Sequence, residues 1–131
     1  MAYGLTLTTA PTVEPVSLEE AKLHCKVEIT EDDLLIQSLI TAARERCEIA
    51  TGRQFCTATW TLKLDSFPCW MIWLPKPRLV SVTSITYVDT AGVTQTHFST
   101  LYQVDITQEP GRITPAYGQI WPTPRVQMAA V

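Results

Sequence analysis

Residues 30–64, TEDDLLIQSLITAARERCEIATGRQFCTATWTLKL, decide the fold, because the hydrophobic period changes within them. From Leu34 the apolar residues Leu35, Leu39, Ala42 and Ala43, and again Ile36, Ile40, Ala43, Cys47 and Ala50, recur three and four positions apart. That spacing predicts a long helix, and an apolar sector wider than one stripe predicts burial on two sides. Thr30 reads as its N-cap, with Glu31, Asp32 and Asp33 in the first turn, where the positive end of the helix dipole favours acids. Gly52 is placed for a left-handed C-cap, with Arg44, Arg46 and Arg53 toward the negative end. Beyond Phe55 the period becomes two. Ala58, Trp60, Leu62 and Leu64 alternate with Thr57, Thr59, Thr61, Lys63 and Asp65, which predicts a half-buried strand with a threonine-rich outer face.

Toward the N-terminus, Ser17 and Glu20 make a capping-box pattern that opens a short helix from Leu18 to about Cys25. Residues 1–16 read as an extended arm, since Pro11 and Pro15 each remove a donor and push the preceding residue out of helical geometry. Toward the C-terminus, Ser66-Phe67-Pro68 breaks the first strand, and Trp70 to Leu74 is a short apolar strand closed by Pro75 and Pro77. Leu79 to Val88 reads as a third strand with a bulge near Thr83-Ser84. Asp89-Thr90-Ala91-Gly92 then turns the chain into Val93–Phe98 as a hairpin. Tyr102, Val104 and Ile106 alternate as a further strand, and Glu109-Pro110-Gly111 turns it into the return strand of Arg112 to Thr114. The last residues, Gln127 to Val131, read as the start of a strand. The expectation is an α+β fold, a short and a long helix followed by an antiparallel β meander. Residues 17–54 would be the helical part and 55–131 the β-rich part of one domain.

Length and composition bound the function. At 131 residues and 46% apolar content the chain suits one ordinary domain with a core. A net charge of −3 and a pI near 5.3, with ten scattered basic residues, argue against a protein that grips nucleic acid. No apolar run reaches the roughly 20 residues that cross a bilayer. The N-terminus has neither a charged nor a continuous hydrophobic signal region, so the sequence reads as soluble and unexported. Cys25, Cys47, Cys56 and Cys69 have no CxxC spacing and read as free, buried thiols.

No catalytic constellation emerges. His24-Cys25 is the one Cys-His neighbourhood, but adjacent helical positions point about 100° apart and share a proton poorly, so an exposed histidine beside a core cysteine is expected. His97 lies in a hairpin return and reads as a surface histidine, since a zinc site needs three or four ligands. Glu31-Asp32-Asp33 fits helix capping better than a metal loop. The isolated glycines make no phosphate cradle, and Asp65, Asp89 and Asp105 each sit at a strand end or turn, where Asp is common. The sequence therefore points to no enzyme, no cofactor and no metal. Of the four tryptophans, Trp60, and with it Trp70, reads as core. Met71 and Trp73 fall on the opposite face of their strand and form the candidate interaction surface.

The order of Ser17-Leu18-Glu19-Glu20-Ala21-Lys22, Thr30-Glu31-Asp32-Asp33-Leu34-Leu35 and Glu48-Ile49-Ala50-Thr51-Gly52-Arg53 resembles the head-tail connector, or adaptor, proteins of tailed bacteriophages. The likeness continues through Trp60, Leu62 to Leu64, Leu74-Pro75, Ile85 to Tyr87 with Asp89 and Gly92, Tyr102, Tyr117-Gly118 and Trp121-Pro122. It implies a structural virion protein, assembled in the host cytoplasm and placed at the head-tail junction. It further implies a homo-oligomeric ring, most often of twelve subunits, docked beneath the portal protein after packaging. Such a ring extends the DNA channel toward the stopper or tail terminator protein. A mildly acidic surface suits a conduit through which DNA slides without sequence-specific binding. Members of that family usually continue through another strand and a C-terminal helix, so the resemblance implies that this chain is a fragment or has an unusual tail. Ring closure needs two different patches on each copy. The expected contact residues are Leu5, Leu7 and Val13 of the arm, Glu31 and Asp32 beside the long helix, and Met71 and Trp73. The alternative is a carbohydrate- or peptide-binding module that uses an aromatic β face.

Overall fold

The computed structural model describes residues 3–131, which divide into two compact units. One is helical and spans Thr9–Thr59; the other is β-rich and joins residues 3–8 to Trp60–Val131.

In the helical unit, α1 spans Leu18–Cys25 and opens on the expected capping box. The Ser17 hydroxyl accepts from the Glu20 N–H at 3.2 Å, and the Glu20 carboxylate accepts from the Ser17 N–H at 2.9 Å. The helix stops at Lys26, whose φ of 56° turns the chain left-handed. Helix α2 spans Asp33–Thr51 and ends on Gly52, at φ 67°, as its sequence predicts. Its start differs from the expectation. The Asp33 N–H bonds the Thr30 carbonyl, so residues 30–32 form a turn outside the helix and Asp32, not Thr30, is the cap residue. Of the three acids only Asp33 lies in the first turn, where the Lys22 ammonium reaches across from α1 to pair with it and also donates to the Ile29 carbonyl.

The expected burial of α2 on two sides is also overturned. Arg44 and Glu48 are its buried residues, while Leu34 is 80% exposed and Leu35 and Leu39 are each 57% exposed. Cys25, Cys47 and Cys69 are exposed and Cys56 half-buried, so the thiols are free but are not the core residues expected.

The strands are β1 (Tyr3–Thr9), β2 (Thr59–Leu64), β3 (Ile72–Leu74), β4 (Ile85–Val88), β5 (Thr94–His97), β6 (Tyr102–Asp105) and β7 (Gly111–Pro115), with a 3-10 turn at Ser99–Leu101, and all but the end residues Thr9 and Thr59 lie in the β-rich unit. The stretch read as an arm thus holds β1, which pairs with β2. The fold is α+β with antiparallel pairing, but a strand precedes the helices and the pairing is not a simple meander. Strands β4 and β5 form a hairpin, with Ile85 opposite His97 and Val88 opposite Thr94. Strands β6 and β7 form a second, while β3 joins across the sequence to β7, giving the order β3-β7-β6. Residues 79–84 are not strand, and the third strand shortens to β4. The chain end is stitched in: Leu64 and Val131 exchange backbone bonds of 2.9 and 3.0 Å, and the Val88 N–H donates to the Ala130 carbonyl at 2.8 Å.

Leu64, Ile72, Ile85, Tyr102 and Ile113 are the buried centre of this unit, with Phe67, Val104 and Trp121 packed against it. Gly111 at the start of β7 has no room for a side chain, since an added Cβ would lie 2.8 Å from the Leu79 Cβ. Gly111→Ala is expected to cost about 1–2 kcal/mol through forced displacement of Leu79. A denaturant titration that returned the unsubstituted midpoint would contradict this packing.

Candidate functional site

Helix α2 carries its polar and apolar residues in an unusual arrangement. On its inner face Arg44 donates from Nε to Glu14 Oε2 at 2.7 Å and from Nη1 to Glu48 Oε2 at 2.9 Å. The other Glu14 oxygen accepts from Thr41 Oγ1 at 3.0 Å, and the other Glu48 oxygen accepts from Gln54 Nε2 at 2.7 Å and from the Phe55 N–H at 3.0 Å. One buried guanidinium therefore fixes the approach to α1, the middle of α2 and the segment that leaves α2. The bond to Arg44 holds the Glu14 carboxyl below its ordinary range, and the same bond raises the already high pKa of Arg44.

With that polar face turned inward, the apolar sector faces out. At about 100° per residue Leu35, Leu39, Ala42 and Ile49 fall on one side of the helix, and all are exposed, Ile49 at 71%. The expected acids Glu31 and Asp32 are exposed in the turn ahead of α2, and Val13 is 72% exposed beside Glu14.

The β-rich unit presents a second apolar surface, an open groove of about 720 Å³ whose rim includes Pro68, Trp70, Met71, Ile120, Trp121 and Pro124. None of its lining residues carries a charge. Trp70 is 80% exposed, contrary to the core position expected, because it lies ahead of β3 and so escapes the alternation that buries Ile72. Met71 is half-buried in this groove, and Trp73 is half-exposed on β3. Trp60 is half-buried, with the Lys76 ammonium 5.3 Å from its ring centre. Leu5 is half-buried and Leu7 partly exposed along β1. The expected contact residues thus lie on surfaces of both units: Val13, Glu31 and Asp32 on the helical one, Leu5, Leu7, Met71 and Trp73 on the β-rich one.

His97 is not the surface residue expected. It is 6% exposed, with its ring stacked on Tyr102 at 5.8 Å and against Trp121 at 5.5 Å, and with Phe67 and Tyr87 around it. Burial lowers its pKa, and among the described residues its Nε2 and the Trp121 Nε1 are buried without partners. Trp121 itself is stacked on Phe67, at 4.9 Å and 8°.

Of the three aspartates at strand ends and turns, Asp89 and Asp105 serve local turns, whereas Asp65 bonds a residue far along the chain. Asp65 accepts from the Ala129 N–H. Asp89 is held below its usual range by the Gln95 amide and by the N–H groups of its hairpin turn, and Asp105 by the Thr107 hydroxyl and N–H, with Arg112 behind them. His24 and Cys25 are both exposed. Among the described residues no group of three His, Cys, Asp or Glu could hold a metal ion, and no helix is long and apolar enough to cross a membrane. Glu14, Arg44 and Glu48 were missed as a unit; the i, i+4 spacing of Arg44 and Glu48 was the one signal available.

What both units offer is apolar surface suited to protein contact. A family model described as Phage gp6-like head-tail connector protein matches residues 15–87, more than half of the chain. The chain belongs to this family of phage head-tail connectors, structural components of virions. No curated protein and no solved structure gave a significant match.

Proposed function

We propose that this chain is the repeating subunit of a connector ring, most often of twelve copies, that docks beneath the portal and extends the DNA channel toward the stopper or tail terminator. The observation that carries the reading is the outward apolar face of α2. A helix that buries an ion pair and exposes Leu35, Leu39 and Ile49 is suited to covering that face with protein in an assembly. The net charge of −3 fits a channel that does not hold DNA, and the role requires no catalysis and no cofactor. Val13, Glu31, Asp32, Leu5, Leu7, Met71 and Trp73 are the proposed contact residues around the ring or against the portal and tail proteins. Assembly takes place in the host cytoplasm, and the ring resides at the head-tail junction of the virion.

Electron microscopy of the protein alone and with its cognate portal tests this reading. Rings of fixed symmetry stacked on the portal are expected; a monomer that ignores the portal at every concentration removes it. Leu39→Glu is expected to reduce ring formation at least about tenfold, since burying an unpaired carboxylate at an interface is costly. The same change should leave the monomer's unfolding midpoint nearly unchanged, because Leu39 is already exposed. A monomer destabilised by several kcal/mol would show instead that Leu39 is a core residue.

The uncharged groove beside Trp70 favours a second reading, capture of an apolar extended peptide. Sugar binding has less support, since Trp121 is stacked on Phe67 and the four tryptophans do not form one platform.

A further inference from the structure

Among the described residues strand β1 pairs only with β2, in a sheet of two strands, so its second edge is open there. Open edges are ordinarily guarded by lysine, proline, a bulge or shortness. Strand β1 has none of these. It runs seven residues, Tyr-Gly-Leu-Thr-Leu-Thr-Thr, and the sequence carries no charged side chain before Glu14. Six of its seven residues are exposed, Tyr3 at 59%. A two-stranded sheet is itself marginal in water, so an added strand would stabilise it as well as cover it.

The chain carries a second uncharged edge, shorter than that of β1. Among the described residues strand β5 pairs only with β4, and its Thr94, Gln95 and Thr96 are exposed and uncharged. Apolar residues bracket it, Val93 at 54% and Phe98 at 68% exposure, as Tyr3 and Leu7 bracket Thr6 of β1. The remaining edges fit less well. Strand β3 has three residues and runs into Pro75, and β6 ends on Asp105, which is paired with Arg112. We propose that the outer edge of β1 pairs with the outer edge of β5 in an adjacent copy of this chain, a head-to-tail contact between two different edges. Backbone hydrogen bonds supply the attraction, and the absence of charge on both edges lets them close without burying an unpaired ion. This inference rests on the ring reading above, because a contact between unlike edges propagates from copy to copy and closes only as a ring.

Amide hydrogen exchange of the full chain, free and in portal-bound rings, reads the contact directly. Outward amides of both β1 and β5 are expected to exchange at least about tenfold more slowly in the ring. A second measurement uses chains in which Cys25, Cys47, Cys56 and Cys69 are serine, with Thr6→Cys in one preparation and Thr96→Cys in another. An inter-copy disulfide in the mixture, and in neither preparation alone, supports the pairing of β1 with β5. A disulfide in Thr6→Cys alone shows β1 paired with its own copy and overturns the assignment. Rings in which β1 or β5 exchanges as fast as in the monomer overturn the strand pairing and leave the ring reading intact. A chain that forms no ring, alone or on the portal, removes both.

Discussion

Arg44→Ala is expected to lower the unfolding free energy of the helical unit by about 3–5 kcal/mol, the range for removing one partner of a buried ion pair. The side chains of Arg44 and Glu48 are 6% and 7% exposed, so the substitution leaves a carboxylate with little access to water. Glu14 loses its guanidinium partner at the same time, and with it a fixed position for the segment that enters α1. Denaturant unfolding followed by the far-ultraviolet helix signal measures the loss; a change below about 1 kcal/mol would mean that the network contributes little. Arg44→Met with Glu48→Leu separates the causes. Replacing the pair by apolar groups removes the stranded charge, so the double variant is expected to recover much of the loss. The pH dependence has a definite sign. Glu14 is depressed in the folded state, so its contribution is present above its ordinary value of 4.5 and is lost as pH falls below it. In Arg44→Ala that acid-dependent component is expected to shrink.

Acidification through pH 6.5 is expected to destabilise the β-rich unit by up to about 1.4 kcal/mol per pH unit, through His97. Burial depresses the folded-state pKa below the ordinary 6.5, so the unfolded chain takes up the proton first. Stability is therefore full above 6.5 and declines as pH falls from there toward the depressed value. The groups around the ring cannot offset the charge. Phe67 and Trp121 are neutral, Tyr87 and Tyr102 present phenols, and among the described residues the imidazole Nε2 has no hydrogen-bond partner. His97→Phe keeps an aromatic ring against Tyr102 and has no proton to accept. Its denaturation midpoint, followed by tryptophan fluorescence between pH 7.5 and 5, is expected to vary less with pH than that of the unsubstituted chain. Equal slopes in both proteins would show that His97 is solvated enough to ionise in place. The decline through His97 begins below 6.5 and that through Glu14 below 4.5, so the two begin at different pH and are separable by substitution.

Local grammar was legible where the chain bonds to its near neighbours. The Ser17–Glu20 capping box, the glycine C-cap at position 52, the Asp89 turn and the return at Gly111 each depend on atoms a few residues apart, and all four stand in the structure. Periodicity failed on α2 for a physical reason. It shows which residues share a face, but not which face meets the protein, and the Arg44 network turns the polar side inward. Strand ends failed similarly. Trp70 fits the alternation of its neighbours, yet the ladder to β7 begins only at Ile72 and leaves the indole in solvent.

The sequence by itself determined the α+β class, the two helices, most of the strands and membership of a connector family, because these follow from short-range periods, caps and turns and from the order of local motifs. Only the tertiary structure decided that β3 pairs with β7, that Ala130 and Val131 bond to Val88 and Leu64, that His97 is enclosed by aromatic rings, and that Glu14 reaches Arg44. Each of these joins residues far apart in the chain. Such contacts depend on which surfaces pack together to bury area and satisfy polar groups, a property of the whole unit that no local window of sequence contains.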